Sequence, residues 1–164
     1  MKDISSDTSW PAQSFVGRIY MIHGDRKIPI HLSKATDIPV ASLIANDWLE
    51  SGGDKATKFS FRFHSKTKDR LHHHIFSTHY AVKRQLMISD NGYLGLYLPV
   101  TQGDYFKLEP LEVTERFIRC RWRDHLGHQV KAKATETFAC DHRAYLTVGE
   151  GQLHEFLIER SLPK

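Results

Sequence analysis

The stretch ERFIRCRWRDHLGHQVKAKATETF, residues 115–138, decides how the rest of the chain is read. In it, Ile118, Cys120 and Trp122 alternate with Arg119, Arg121 and Arg123. Successive side chains of a strand point to opposite faces, so one row is apolar and the other cationic. Asp124-His125-Leu126-Gly127 then supplies turn residues. Beyond them Val130, Ala132 and Ala134 alternate with Lys131 and Lys133. We read a β-hairpin with an inward apolar row and five outward cations: Arg119, Arg121, Arg123, Lys131 and Lys133.

The same period of two recurs outward from this stretch. Phe15 to Ile22 and Lys27 to Leu32 flank the turn residues His23-Gly24-Asp25-Arg26 and read as a first hairpin. Phe59, Phe61 and Phe63 alternate with Ser60, Arg62 and His64, and a further strand is expected from about His72 to Val82. Arg84, Leu86 and Ile88 lead to Asp90-Asn91-Gly92, and Leu94, Leu96, Leu98 and Val100 follow. Asn-Gly favours a tight hairpin because both residues tolerate positive φ.

Two segments carry a helical period instead. Over Asp37 to Glu50, Val40, Leu43, Ile44 and Trp48 form one stripe, with Asp37 as cap, Pro39 in the first turn and Gly52-Gly53 beyond the end. Over Gln152 to Arg160, Leu153, Phe156, Leu157 and Arg160 predict a short C-terminal helix. The expected class is therefore α+β and predominantly antiparallel β. It is a meander or small open barrel of about eight strands, with one helix in the N-terminal half and a short one at the C-terminus. Residues 1–14 read as a flexible tail with Trp10 as its anchor, and residues 15–164 as a single domain.

The totals fit that reading. The chain has 164 residues, 40% of them apolar, enough for one ordinary core. No apolar run approaches the ~18 residues that span a bilayer, and the first residues lack a signal-peptide pattern. The expectation is a cytoplasmic protein without membrane insertion. The two cysteines, Cys120 and Cys140, are too sparse for a disulfide framework, and Cys120 reads as a reduced core thiol. The net charge is +4 with the eleven histidines neutral, which biases partners toward anions.

Three constellations carry chemistry. Residues 114–133 hold six Lys or Arg against two acids. Like charges opposed across a sheet repel, so acids such as Glu112, Glu115 and Glu136, or a bound anion, must offset them. Residues 58–84 form a second basic block, with seven Lys or Arg, one Asp and five histidines among Phe59, Phe61, Phe63, Phe76 and Tyr80. Exposed rings among cations suit single-stranded nucleic acid, but the alternation buries the Phe row. Within that block, His72 and His74 share one strand face, while His73 and His79 share the other. A His-x-His pair on a strand can ligate a divalent metal if a third ligand joins it, and Glu109, Glu112, His125, His128 and His142 are candidates. Cys140-Asp141-His142 are consecutive and point apart on a strand, and no nucleophile elbow or phosphate-binding loop occurs.

Ile88-Ser89-Asp90-Asn91-Gly92, followed by Leu94, Leu96 and Leu98-Pro99, resembles the strand-turn-strand segment of PilZ domains. That resemblance implies a small β-barrel that binds a cyclic dinucleotide. It covers roughly a dozen residues. Ser89 and Gly92 match the family's motif, Met87 replaces its first member, and Arg70 and His74 are the nearest equivalent of its arginine pair.

The sequence thus points first to a binding or regulatory domain rather than an enzyme. Its basic β face would engage an anionic partner, a nucleotide or nucleic-acid phosphate. Beside this stand a protein-interaction module of adaptor, inhibitor or immunity type, a metal-dependent enzyme centred on His72 and His74, and a degenerate PilZ-like barrel. No cofactor is expected on the first reading, and the oligomeric state is left open.

Overall fold

The computed structural model describes residues 8–32, 47–78, 83–98, 103–134 and 144–162. Thirteen strands lie among them. They are β1 (Phe15–His23), β2 (Arg26–Leu32), β3 (Asp47–Ser51), β4 (Lys58–Lys66), β5 (Leu71–Ser77), β6 (Gln85–Ile88) and β7 (Leu94–Tyr97). The rest are β8 (Phe106–Val113), β9 (Phe117–Arg123), β10 (Lys131–Ala134), β11 (Ala144–Thr147), β12 (Gln152–Leu153) and β13 (Phe156–Arg160).

All named pairings are antiparallel, and they close on themselves. The nine-strand circuit runs β3-β2-β1-β13-β9-β8-β5-β6-β7 and returns to β3 through Asp47↔Leu96 and Trp48↔Gly95. Strand β4 lies across this ring and pairs with both β1 and β5. The first half of β1 pairs with β4 and the second half with β2, so the sheet forks at Ile19. Strands β11, β10 and β12 extend from β3. The expected open barrel of about eight strands is thus a closed one with more strands. Closure leaves those nine strands without a free edge along the ring.

Alternation places the core as expected. Phe59 and Phe61 of β4, Ile118, Cys120 and Trp122 of β9, and Leu94 and Leu96 of β7 are fully buried. Each large side chain of this kind contributes about 1.5–3 kcal/mol by leaving water. Burial also pushes the Cys120 thiol well above its usual range, so it behaves as a small core hydrophobe. Cys140 lies outside the described residues.

Both predicted hairpins at the barrel's start and middle form. Gly24 turns β1 into β2 at φ 65°, and Gly92 turns β6 into β7 at φ 90°. In the second, Ser89 donates its hydroxyl to the Asn91 side chain, and the Gly92 N–H bonds Ser89 O at 2.9 Å.

Three expectations are corrected. Gln152 to Arg160 is not a helix but β12 and β13. Phe156 and Ile158, two apart, are fully buried while Leu157 between them is not, so the period of two outweighs the helical spacing. Strand β13 also supplies hydrogen-bond partners to β1 on one side and β9 on the other, which a helix would leave unmet. The expected helix over Asp37 to Glu50 ends in strand: Asp47 to Ser51 is β3, and Gly52 and Gly53 at φ 119° and 73° follow a strand instead of capping a helix. Residues 37–46, with Val40, Leu43 and Ile44, lie outside the described residues.

The third correction concerns the stretch that opened the reading. Strands β9 and β10 do not form a hairpin ladder. Strand β8 runs along one edge of β9, and β13 takes the other from Phe117 to Cys120. A strand has two edges, so β10 pairs with β11 and β12 instead. An Arg123↔Gln129 bridge, the Val130 N–H to Trp122 O bond, 2.8 Å, and the Asp124 N–H to His128 O bond, 2.9 Å, join the two arms next to the turn. Val130 and Ala132 are buried as expected, but Ala134 is exposed.

Before the barrel, Trp10–Ala12 forms a short 3₁₀ turn. Trp10 is buried, its Nε1–H donates to Thr114 O at 2.7 Å, and the Arg160 guanidinium lies 5.1 Å from the ring centre. Residues 8–14 of the expected tail are therefore held against the barrel at this point. Among the described residues no helix is long and apolar enough to cross a membrane.

Candidate anion-binding face

The site is built on four neighbouring strands, in the order β4-β5-β8-β9. Their inward rows fill the core, so the residues between those rows form one outer face. Register sets who stands beside whom. Arg62 lies opposite His74, His72 opposite Lys107, Lys107 opposite Arg123, and Glu109 opposite Arg121.

At one end of this face, two guanidinium groups meet one carboxylate, and Arg70 adds its charge nearby. Arg123 donates to Glu109 Oε1 through both Nε at 2.9 Å and Nη2 at 2.7 Å, and also donates to Gly127 O at 2.9 Å. Arg121 Nη1 lies 3.7 Å from the other Glu109 oxygen. The hydrogen bond from Arg123, with the charges of Arg123, Arg70 and Arg121, holds the Glu109 carboxyl below the usual carboxylate range. Beside Glu109 an open cleft of about 530 Å³ is lined by Lys66, Thr67, Lys68, Asp69, Arg70, Leu71 and Pro110.

The other end of the face is aromatic. His72 stacks on Tyr105 with ring centres 4.5 Å apart and planes 5° from parallel. His64 also stacks on Tyr105, at 4.9 Å and 29°, and meets His74 edge-on at 5.3 Å. The Ser65 hydroxyl lies 2.7 Å from His64 Nδ1 and 3.0 Å from His72 Nδ1 and ties the two rings together. Gln85 Nε2 donates to His74 Nδ1 at 3.2 Å while its Oε1 accepts the Gly103 N–H at 3.0 Å. Phe76, next along this face of β5, is covered by Arg62 at 4.6 Å and Lys83 at 5.2 Å. His64, Arg62 and Lys83 are exposed, whereas His72 and His74 are buried beneath them.

Burial lowers the pKa of both His72 and His74 from the usual histidine value. Lys107, His64 and Arg70 push His72 further in that direction, and His64 and Arg62 do so for His74, against Asp104. At neutral pH both rings are therefore uncharged within a cationic surround. The His72 Nε2 is buried without a hydrogen-bond partner.

The sequence candidates divide as follows. Arg119, Arg121 and Arg123 share the outer row of β9 as expected. Arg119 is matched by Glu155 at 2.6 Å and Glu112 at 3.5 Å, the latter an acid expected to offset this row. Lys131 and Lys133 stand on β10, beside Thr147 and Tyr145 of β11, with five strands between β10 and β9 in sheet order. The five cations thus do not form one row. His72 and His74 do share a face, and His73 takes the other, against Phe15, Phe61 and Phe63. His79 and His142 lie outside the described residues. The proposed third metal ligands are engaged elsewhere: Glu109 and Glu112 with arginines, His125 with Asp104 at 3.4 Å, and His128 with Asp124 at 3.1 Å. Among the described residues no group of three His, Cys, Asp or Glu side chains is arranged to hold a metal ion.

The role of Tyr105 was not legible. It precedes β8 by one residue and reaches β5 only through the β5–β8 pairing, which no local pattern announces. His64 takes the outer face by the same alternation that places Arg62 there, and the register shift between Phe63 and Ser65 brings Ser65 opposite His72 beside it.

No known protein family, characterised protein or solved structure matches this chain.

Proposed function

We propose that this protein is a binding domain that engages an anionic partner through the outer face of β4, β5, β8 and β9. One observation carries the reading: Arg121 and Arg123 share the single carboxylate of Glu109, which lines a cleft together with Arg70, Lys66 and Lys68. Glu109 and Asp69 cannot neutralise Lys66, Lys68, Arg70, Arg121 and Arg123 together, so positive charge is in excess around the cleft. Guanidinium forks suit phosphate and carboxylate, and a phosphate placed there would relieve the repulsion among them. This keeps Arg121 and Arg123 from the sequence-based set, adds Arg70, Lys66 and Lys68, and leaves Lys131 and Lys133 outside.

Calorimetric titration with tripolyphosphate tests the reading. Arg70→Ala and Arg121→Ala should each weaken binding several-fold, and Glu109→Gln should strengthen it by removing the competing carboxylate. Lys133→Ala should leave it unchanged. Binding that is insensitive to Arg70, Arg121 and Glu109 would overturn the assignment.

A further inference from the structure

We infer that the anionic partner is a single-stranded nucleic acid, with a base stacked on His64 and its phosphates distributed over Arg62, Lys107, Arg70 and Arg121. The inference rests on the anion-binding reading above and names its ligand.

A face that held only phosphate would need cations and hydrogen-bond donors. This one also places rings among its cations. His64 is exposed, yet it is not loose: its ring is stacked on Tyr105, touches His74 edge-on and is tied to His72 through the Ser65 hydroxyl. An exposed ring fixed in this way is a preorganised platform, because little side-chain freedom is lost when a second flat ring stacks on it. Nucleobases of every kind present such a flat surface, so stacking tolerates any sequence. Arg62, two residues from His64, lies over Phe76, and Lys83 joins it there. Cations therefore flank the rings at one end, and the Arg70–Arg121–Arg123 group lies at the other.

The dimensions favour a chain over a lone nucleotide. Adjacent strands are about 4.8 Å apart, so the cations from β4 to β9 spread over roughly 14 Å. That span accommodates more than one phosphate of a single strand. A duplex hides its bases in the stack and would leave the ring of His64 unused.

The test compares a labelled oligothymidylate of about eight nucleotides with an abasic oligomer of the same length and phosphate number, by fluorescence anisotropy at one fixed salt concentration. The oligothymidylate should bind about tenfold more tightly, the effect of one stacked base. His64→Ala should erase that margin while leaving the affinity for the abasic oligomer unchanged, and His64→Phe, which keeps a ring, should restore it. His64 is exposed, so both variants should fold, with unchanged circular dichroism.

Equal affinity for the two oligomers would overturn the stacking inference and leave the anion-binding reading standing. Thymidine monophosphate binding as tightly as the oligomer would overturn the choice of a chain. Binding of neither oligomer at low salt would overturn the anion-binding reading itself.

Discussion

His73 shows how one buried residue sets a property of the whole fold. It is fully buried, surrounded by Phe15, Phe61 and Phe63, and its Nε2–H donates to Gln13 O at 3.2 Å. Its Nδ1 is buried without a partner. A proton there would bring charge into an apolar site, so burial lowers the pKa to about 4. The unfolded chain takes up that proton near pH 6.5, but the fold does so only near pH 4. Between those values the unfolded state binds more protons, and stability falls as the pH falls. At about 1.4 kcal/mol per pH unit, roughly 3 kcal/mol is lost by pH 4. Urea denaturation should show this loss in the parent protein, and His73→Leu should flatten the profile over that window. A variant with an undiminished pH slope would place the effect elsewhere. His72 and His74 add to the trend in the same direction, since their pKa values are also lowered. Histidines crowded among cations are legible in residues 58–84, but the first cause of the lowered pKa is burial, which depends on the packing of β4 on β5.

At the scale of the element, the connection from β9 to β10 depends on Asp124. Its carboxylate is buried and accepts the N–H groups of Leu126 at 3.0 Å and His128 at 2.8 Å. Gly127 takes φ 95°, and its carbonyl receives Arg123. This loop fixes where β9 stops and therefore where Arg123 and Arg121 stand. Asp124→Ala removes the acceptor of two partly buried N–H groups and should cost about 1 kcal/mol in chemical denaturation. A loss under about 0.5 kcal/mol would mean that the loop is held by other contacts. The turn residues and the in-and-out alternation of β9 were legible because both are local. The partner of β9 was not, since only the closure of the ring reveals that β13 has taken its free edge. The C-terminal helix was misread for the same reason: Leu153, Phe156 and Leu157 satisfy a helical spacing, and only pairing with β1 and β9 selects the strand.

Across the whole molecule, closure is what assembles the site. The block at residues 58–84 and the block at residues 114–133 are separate in sequence, and β8 brings them together by pairing with β5 on one side and β9 on the other. Each block was recognisable from its charge, and the Phe row of the first was correctly expected to be buried. Their union, and the placement of Tyr105 against His64 and His72, follow from register alone. Splitting Lys131 and Lys133 from the β9 arginines follows from it as well. The measurement that bears most directly on the central claim is an amide-shift titration by two-dimensional NMR with tripolyphosphate. The shifts should concentrate on Arg62, Arg70, His72, Lys107 and Arg121, and leave Lys131 and Lys133 still. Shifts centred on β10, or none on the β4-β5-β8-β9 face, would contradict it.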